Sequence, residues 1–378
     1  MCKNLWNAFT KKERRVFLAA VVVCAGSAVT AGALAFNENS VFIPVAGGIY
    51  REGEVGQPVA INPITSANPV DLDVGALLYG KVGDILTSHE MSEKGLQHTI
   101  KIREGVRWSN GTPLTSNDIV FTVRAIEEPE TRSPLFKKWA GVVVERVSEL
   151  QVRFTLQTPY AFFPEAIKNL PIIPEHVFGK IPPANLKLSD YNLAPVGSGP
   201  YKVHTLEKRR DGFIKEIRLV RNEEYPLPSP FIDEFVFMFF ETEEARASAF
   251  QKRQIDGMGV SNPGEARKKE VRGAEVTLFP FSRSYALFIN EALNPLLKTR
   301  GFRQALRDSI DKEALLQTLF NEGLASPLEG PFAALPQSRN TPRMEQGEAR
   351  ALIASRKEAE GTLALNLIVP DVNFLKRT

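Results

Sequence analysis

The chain has 378 residues, 43% of them hydrophobic and 24% charged, with 26 Gly, 26 Pro and 24 Phe. That length exceeds one ordinary domain, and that much apolar material excludes disorder on the scale of a domain. The net charge of +3 hides an asymmetry: Lys3, Lys11, Lys12, Arg14 and Arg15 against Glu13 give the first 15 residues +4, leaving 42 basic and 43 acidic side chains for the rest. A body so nearly neutral gives no electrostatic case for nucleic acid.

Residues 16–36 contain no charge, and as a helix they span ~32 Å at about 1.5 Å per residue, enough for a hydrocarbon core of about 30 Å. The basic cluster before them is expected to stay cytoplasmic and send the remainder to the other side. Three readings of this segment stay open. It is a retained transmembrane anchor, a secretory signal cleaved after Ala33-Leu34-Ala35, or a lipoprotein signal using Cys24, although Val23 is larger than such a signal wants. Cys2 and Cys24 are the two cysteines of the chain, so the body beyond residue 36 has no thiol chemistry.

Residues 37–46 read as a tether. Leu96, His98, Ile100 and Ile102 alternate with polar residues and predict a half-buried strand. Asn110-Gly111 predicts a turn with positive φ, and Thr115 with Asp118 three residues on predicts a capped helix start. Ile119, Val120, Val123 and Ile126 supply the apolar stripe of that helix. Val142–Val147 and Gln151–Leu156 predict a hairpin, with further strands at Phe213–Val220, Phe235–Phe240, Ala286–Asn290 and Leu363–Val369. Helices are expected at Thr242–Gln254, along the stripe from Phe302 to Phe320, and near Gly347–Ser355. The mixture lacks a steady βαβ rhythm, so the class is α/β or α+β.

Catalytic signatures are missing from this pattern. His89, His98, His176 and His204 form no His-Glu-x-x-His helix, and no body cysteine is available for zinc. Gly197-Ser198-Gly199-Pro200 lacks the lysine of a phosphate cradle and reads as a tight turn before a strand. The acidic pairs Glu127-Glu128 and Glu243-Glu244 are expected at helix starts, where the dipole favours them. No cofactor, no metal and no enzymatic activity are expected.

Four stretches together resemble the extracellular solute-binding proteins of peptide ABC importers (the dipeptide, oligopeptide and nickel type). The first runs from Ile102-Arg-Glu-Gly-Val-Arg-Trp108 through Asn110-Gly111 to Thr115, Asp118, Phe121 and Thr122. The second is Pro195-Val-Gly197-Ser-Gly199-Pro200-Tyr201, followed by Arg221-Asn222 and Tyr225. The third is Ile255-Asp256-Gly257. The fourth is Phe302-Arg303-Gln-Ala305-Leu306 with Ser309-Ile310-Asp311-Lys312. They occur in family order between about residues 47 and 331.

The resemblance implies an α/β, two-lobed periplasmic-binding-protein-like fold with an extra subdomain in the first lobe. Residues 47–258 would form lobe I, with the subdomain at about 64–180, and 259–378 part of lobe II. The second lobe is expected to be incomplete, and the carboxylate that meets a peptide's α-amino group in such receptors falls beyond residue 378. A hinge is implied near Gly257–Pro263, with the ligand enclosed as the lobes shut. Trp108, Asp118, Phe121, Gly199 and Tyr201 are expected to shape the lobe. Ser66, Ala67 and Asn68, Phe136 and Trp139, and Tyr285 and Asn290 are the expected ligand-binding residues. The implied partners are a peptide or other small solute, ABC permease subunits, and the membrane through residues 16–36. The body is expected on the extracytoplasmic side, membrane-anchored or secreted. A membrane-tethered sensing receptor, or a binder of a nickel complex, haem or oligosaccharide, is the alternative.

Overall fold

The computed structural model describes residues 10–40, 43–260, 274–277, 286–292, 295–319, 326–328 and 344–360. The chain divides into two compact units, Met1–Glu243 and Glu244–Thr378.

The first unit begins with α1 (Lys11–Asn39). Thr10 caps it, and Glu13 reaches back to the Thr10 backbone N–H at 2.7 Å. Within its stretch Lys11–Phe36 an 18-residue window has a mean hydropathy of 2.1 and none of that window is buried, so the helix is long and apolar enough to cross a membrane. A signal sequence would meet the same description.

Two sheets follow. The larger contains β1 (Ile49–Val55), β6 (Tyr201–Lys208), β7 (Ile214–Arg221) and β8 (Glu234–Phe240), ordered β6-β7-β8-β1 within this unit. β8 runs antiparallel to β7 and parallel to β1, with Tyr50 opposite Phe235 and Gly53 opposite Met238. The alternation in Phe235-Val-Phe237-Met-Phe239 puts three rings on one face, with adjacent centroids 4.9 and 6.3 Å apart. The Arg218 guanidinium crosses the same sheet to Glu216 and Glu234 at 2.9 and 2.6 Å. Of the motif residues in this part, Asn222 is buried and donates to the Gly199 carbonyl.

The smaller sheet belongs to the subdomain. It contains β2 (Leu86–Met91), β3 (Gln97–Ile102), β4 (Val143–Ser148) and β5 (Gln151–Thr155), all antiparallel, in the order β2-β3-β5-β4. The expected strand at 96–102 and hairpin at 142–156 are present, the hairpin turning at Glu149-Leu150. Between β3 and β4 lies α4 (Ser116–Glu127), preceded in the chain by α2 (Pro69–Leu78) and α3 (Val82–Ile85) and followed by α5 (Phe136–Trp139). All four stripe residues of α4 are buried, and Thr115 with Asp118 forms the expected capping box. After the hairpin come α6 (Phe163–Lys168) and α7 (Glu175–Phe178). The rings of Trp139, Phe154 and Phe163 meet edge-on or tilted, 5.6–5.9 Å apart, at the centre of this layer.

Two glycine turns reach their form for different reasons. Gly111 has φ +83°, where a side chain is strained, as the Asn-Gly pair predicts. Gly197 and Gly199 have ordinary φ. A methyl group on Gly197 would sit 1.8 Å from the Leu78 carbonyl oxygen, and one on Gly199 2.6 Å from that of Leu77. This glycine run is a seat for the end of α2, and Gly199 N–H donates to the Leu78 carbonyl at 2.9 Å.

Three expectations need correction. Glu127-Glu128 lies at the end of α4, and Glu127 Oε1 accepts the Gly141 N–H at 2.9 Å, a backbone donor that offsets the unfavourable dipole. The helix from 242, here α8 (Glu243–Gln251), stops earlier than Gln254, because Arg253 turns left-handed at φ 56°. Ala286–Asn290 is described as irregular chain and takes no part in the strand pairings of the described residues. The strand expected at 363–369 lies outside the described residues.

In the second unit, α9 (Pro295–Lys298) leads into α10 (Arg300–Ser309), followed by α11 (Lys312–Leu319) and α12 (Gln346–Glu360). α10 and α12 pack together through buried Phe302, Ala305 and Ala349. Asp308 Oδ2 accepts the Met344 N–H at 2.9 Å, fixing the chain just before α12.

Candidate functional site

The first expected binding loop, 59–68, ends one step before α2, and a single carboxylate organises it. Asp71 stands in the first turn of α2 and is buried. Its Oδ1 accepts the Val59 N–H at 2.7 Å and the Ala60 N–H at 3.2 Å, and its Oδ2 accepts the Ser66 hydroxyl at 2.8 Å. Asn62 fixes the other side: its Oδ1 accepts the Ile64 N–H and its Nδ2 donates to Asn192 Oδ1, both at 3.2 Å. Asn68 caps α2 through Val70 N–H, and Pro69 fills the first helical position.

The three residues expected here therefore have different roles. Ser66 is buried and spends its hydroxyl on Asp71, Asn68 is half-buried and caps a helix, and Ala67 is exposed between them.

The second expected loop is joined to the first. Ser133 is buried, its hydroxyl donates to the Ile64 carbonyl at 2.5 Å, and the same oxygen accepts the Leu135 N–H at 3.2 Å. That bridge holds the start of α5 beside loop 59–68. Phe136 is 39% exposed, while Trp139, one turn on, is 1% exposed inside the aromatic cluster. Trp139 therefore presents no surface to a solute in this conformation. Around the bridge, the hydroxyl oxygens of Thr65 and Thr131 are buried without a hydrogen-bond partner.

Asn290 is exposed, and its Oδ1 accepts the Ala292 N–H at 3.0 Å. Tyr285 lies outside the described residues. Sequence reasoning missed Asp71, Ser133 and Asn192. Asp71 left a faint signal, an acidic residue three places after an Asn-Pro helix start. Ser133 and Asn192 left none, because their partners are 69 and 130 positions away.

The motif residues do shape the lobe. Trp108 is fully buried, and Tyr201 donates to the Ile232 carbonyl at 3.0 Å. Asp118 accepts the Thr115 N–H through Oδ2 and the Glu175 N–H through Oδ1, both at 2.9 Å, so it ties α4 to the start of α7. Burial pushes its carboxyl above the usual range, and the two N–H donors oppose that shift. In the same layer Thr122 donates to the Asp118 carbonyl and accepts the Ile173 N–H. No group of three or more His, Cys, Asp or Glu residues among the described ones is arranged to hold a metal ion.

Comparison with known proteins gives this arrangement its context. The oligopeptide-binding protein AppA of Bacillus subtilis is 26% identical over 332 residues, which are 82% of this chain and 59% of that protein. The protein XP55 of Streptomyces lividans is 29% identical over 245 residues, 64% of this chain and 43% of that protein. This chain thus spans about half the length of these relatives. Among solved structures, the ABC transporter substrate-binding protein CtaP of Listeria monocytogenes matches with TM-score 0.70 and 28% identity, covering 82% of this chain and 65% of that one. The profile described as "Bacterial extracellular solute-binding proteins, family 5 Middle" matches residues 81–365, three quarters of the sequence. With the α/β subdomain and the motif residues in structural places, that match makes the chain a member of the bacterial extracellular solute-binding proteins, family 5.

Proposed function

We propose that this chain belongs to the receptor of an ABC importer, that it captures peptides on the extracytoplasmic side, and that it hands them to a membrane permease. The observation that carries the reading is the family match across residues 81–365, joined by a relative of 332 aligned residues that is itself an oligopeptide-binding protein. Capture would use the lobe closure that the family resemblance implies, with Gly257 and Gly259 as hinge residues. Residues 16–36 would hold the receptor at the membrane or export it as a signal.

Within the first unit, the surface offered to a solute is Ala67 with Phe136, fixed in place by Asp71 and by the Ser133–Ile64 bond. An extended peptide suits such a surface because its main chain can hydrogen-bond along a rigid loop while an exposed ring takes a side chain. The receptor acts by binding: the buried carboxylates of Asp71 and Asp118 are committed to backbone and hydroxyl donors.

Calorimetric titration of the detergent-solubilised chain with defined peptide pools tests this. Binding with a negative heat-capacity change, weakened at least tenfold by Phe136→Ala, is the expected result. Failure of every pool to bind while a nickel complex, haem or oligosaccharide does bind would overturn the peptide assignment.

A further inference from the structure

The subdomain holds a second concentration of donor atoms, away from the loops above. Cross-strand register sets it. His89 of β2 lies opposite Ile100 of β3, and Met91 lies opposite His98. Residues directly opposite share a face, and residues two apart on one strand share it too. His89, Met91 and His98 therefore all sit on the face that carries buried Ile100, with Phe154 next to His98 on β5. Glu90 lies on the other face, so no carboxylate of these strands joins the group.

The two imidazoles point ring nitrogens at each other, His89 Nε2 and His98 Nδ1, 3.0 Å apart. Their planes are within 23° of each other. His98 is 0% exposed and has the edge of Phe163 against it at 5.0 Å, so its ring is held firmly. Met91 is 61% exposed, and a methyl group on Gly95 would lie 4.0 Å from its sulfur, so the Ser92–Gly95 turn backs the thioether. The arrangement is one rigid buried nitrogen, one half-buried nitrogen facing it, and a solvent-reachable sulfur on the same face.

Two neutral imidazole nitrogens in contact have room for one proton between them. A cation can replace that proton: metal–nitrogen bonds of about 2.0–2.1 Å at the tetrahedral angle span about 3.3 Å, so the two rings need to part by only a few tenths of an ångström to admit one. Two imidazoles and a thioether form a neutral, soft set, which selects cuprous copper over hard divalent ions. We infer that His89, His98 and Met91 form a binding site for a soft monovalent metal ion, cuprous copper or its silver analogue, at the solvent-facing rim of β2 and β3. Lys168 faces His89 and opposes a cation there, and its exposure to water screens that opposition.

The test uses the full detergent-solubilised chain in a Cys2→Ser/Cys24→Ser background, which removes the competing thiolates. Cuprous ion is presented anaerobically with bicinchoninate as the colorimetric competitor. One equivalent should leave the competitor. His89→Gln should abolish the transfer and Met91→Leu should weaken it at least tenfold, with circular dichroism unchanged in both, since neither side chain is fully buried. Silver ion should shift the ¹⁵N resonances of His89 Nε2 and His98 Nδ1. Transfer that survives His89→Gln, no transfer at all, or preference for zinc over cuprous ion would overturn the assignment and leave the pair a proton-sharing contact.

Discussion

Two buried aspartates organise the first unit, and they do so at different ranges. Asp118 sits three residues after its helix cap and returns one bond to that cap, so half of its role is local. Its other bond, to Glu175 N–H, crosses 57 positions. Asp71 holds an equivalent place in the first turn of α2 but gives no bond to its own cap. Both of its oxygens reach back to the loop at 59–66, eleven or twelve positions upstream for the backbone donors. The first aspartate builds scaffold and the second fixes a loop at the candidate site. A carboxylate at the start of a helix thus serves whichever unsatisfied N–H groups the fold brings to it.

Replacing both residues by alanine separates these roles. Asp71→Ala strands the Val59 and Ala60 amides and the Ser66 hydroxyl, each at about 1–3 kcal/mol if no other partner is found. A loss of about 3–5 kcal/mol is expected, seen as a fall in urea midpoint without a change in slope, together with loss of solute binding. Asp118→Ala strands two amides and should cost about 2–3 kcal/mol, while leaving binding by the remaining folded protein intact. Equal effects on binding would erase the distinction between scaffold and site.

The same contrast explains what is legible in the sequence. The strand at 96–102, the Asn-Gly turn and α4 are readable because period, turn residue and capping box are local signals that agree with one another. β1 is not readable: Ile-Tyr-Arg-Glu-Gly-Glu-Val has no clean alternation, and its pairing with β8 is 185 positions distant. Gly197 and Gly199 announce a tight turn, yet their reason, close approach to the carbonyls of Leu77 and Leu78, appears in no local pattern. At the candidate site family resemblance places the two loops. The hydroxyl that joins them is invisible because Ser133 and Ile64 are 69 positions apart. Trp139 looks in the sequence like an exposed aromatic in a loop, but its spacing from Phe136 turns it inward to Phe154 and Phe163.

Ser133→Ala sharpens the site half of the comparison. The substitution removes two neutral hydrogen bonds, to the Ile64 carbonyl and from the Leu135 N–H, at about 0.5–1.5 kcal/mol each, so the urea midpoint should move less than for Asp71→Ala. Peptide affinity should fall by more than stability does, because the two loops lose the bond that fixes their spacing. A stability loss with unchanged affinity would place Ser133 with Asp118 in the scaffold.

The smallest expected effect is a slope of stability against pH, and it has opposite signs within one subdomain. Burial lowers the His89 and His98 values, and the unfolded chain then binds more protons than the folded one as pH falls through the ordinary histidine value near 6.5. Stability contributed by the neutral pair is present above that pH and declines below it. Asp118 works the other way: its raised carboxyl binds its proton in the folded state first, so its ionisation penalty is relieved as pH falls through the raised value towards about 3.9. Between pH 7.5 and 5.5 the histidine slope should stand alone, measured as the urea midpoint, and His89→Gln should flatten it. Saturating cuprous ion should steepen the same slope, because protons and the metal compete for the facing nitrogens. A slope indifferent to both the substitution and the metal would separate the histidine pair from the pH dependence of the subdomain.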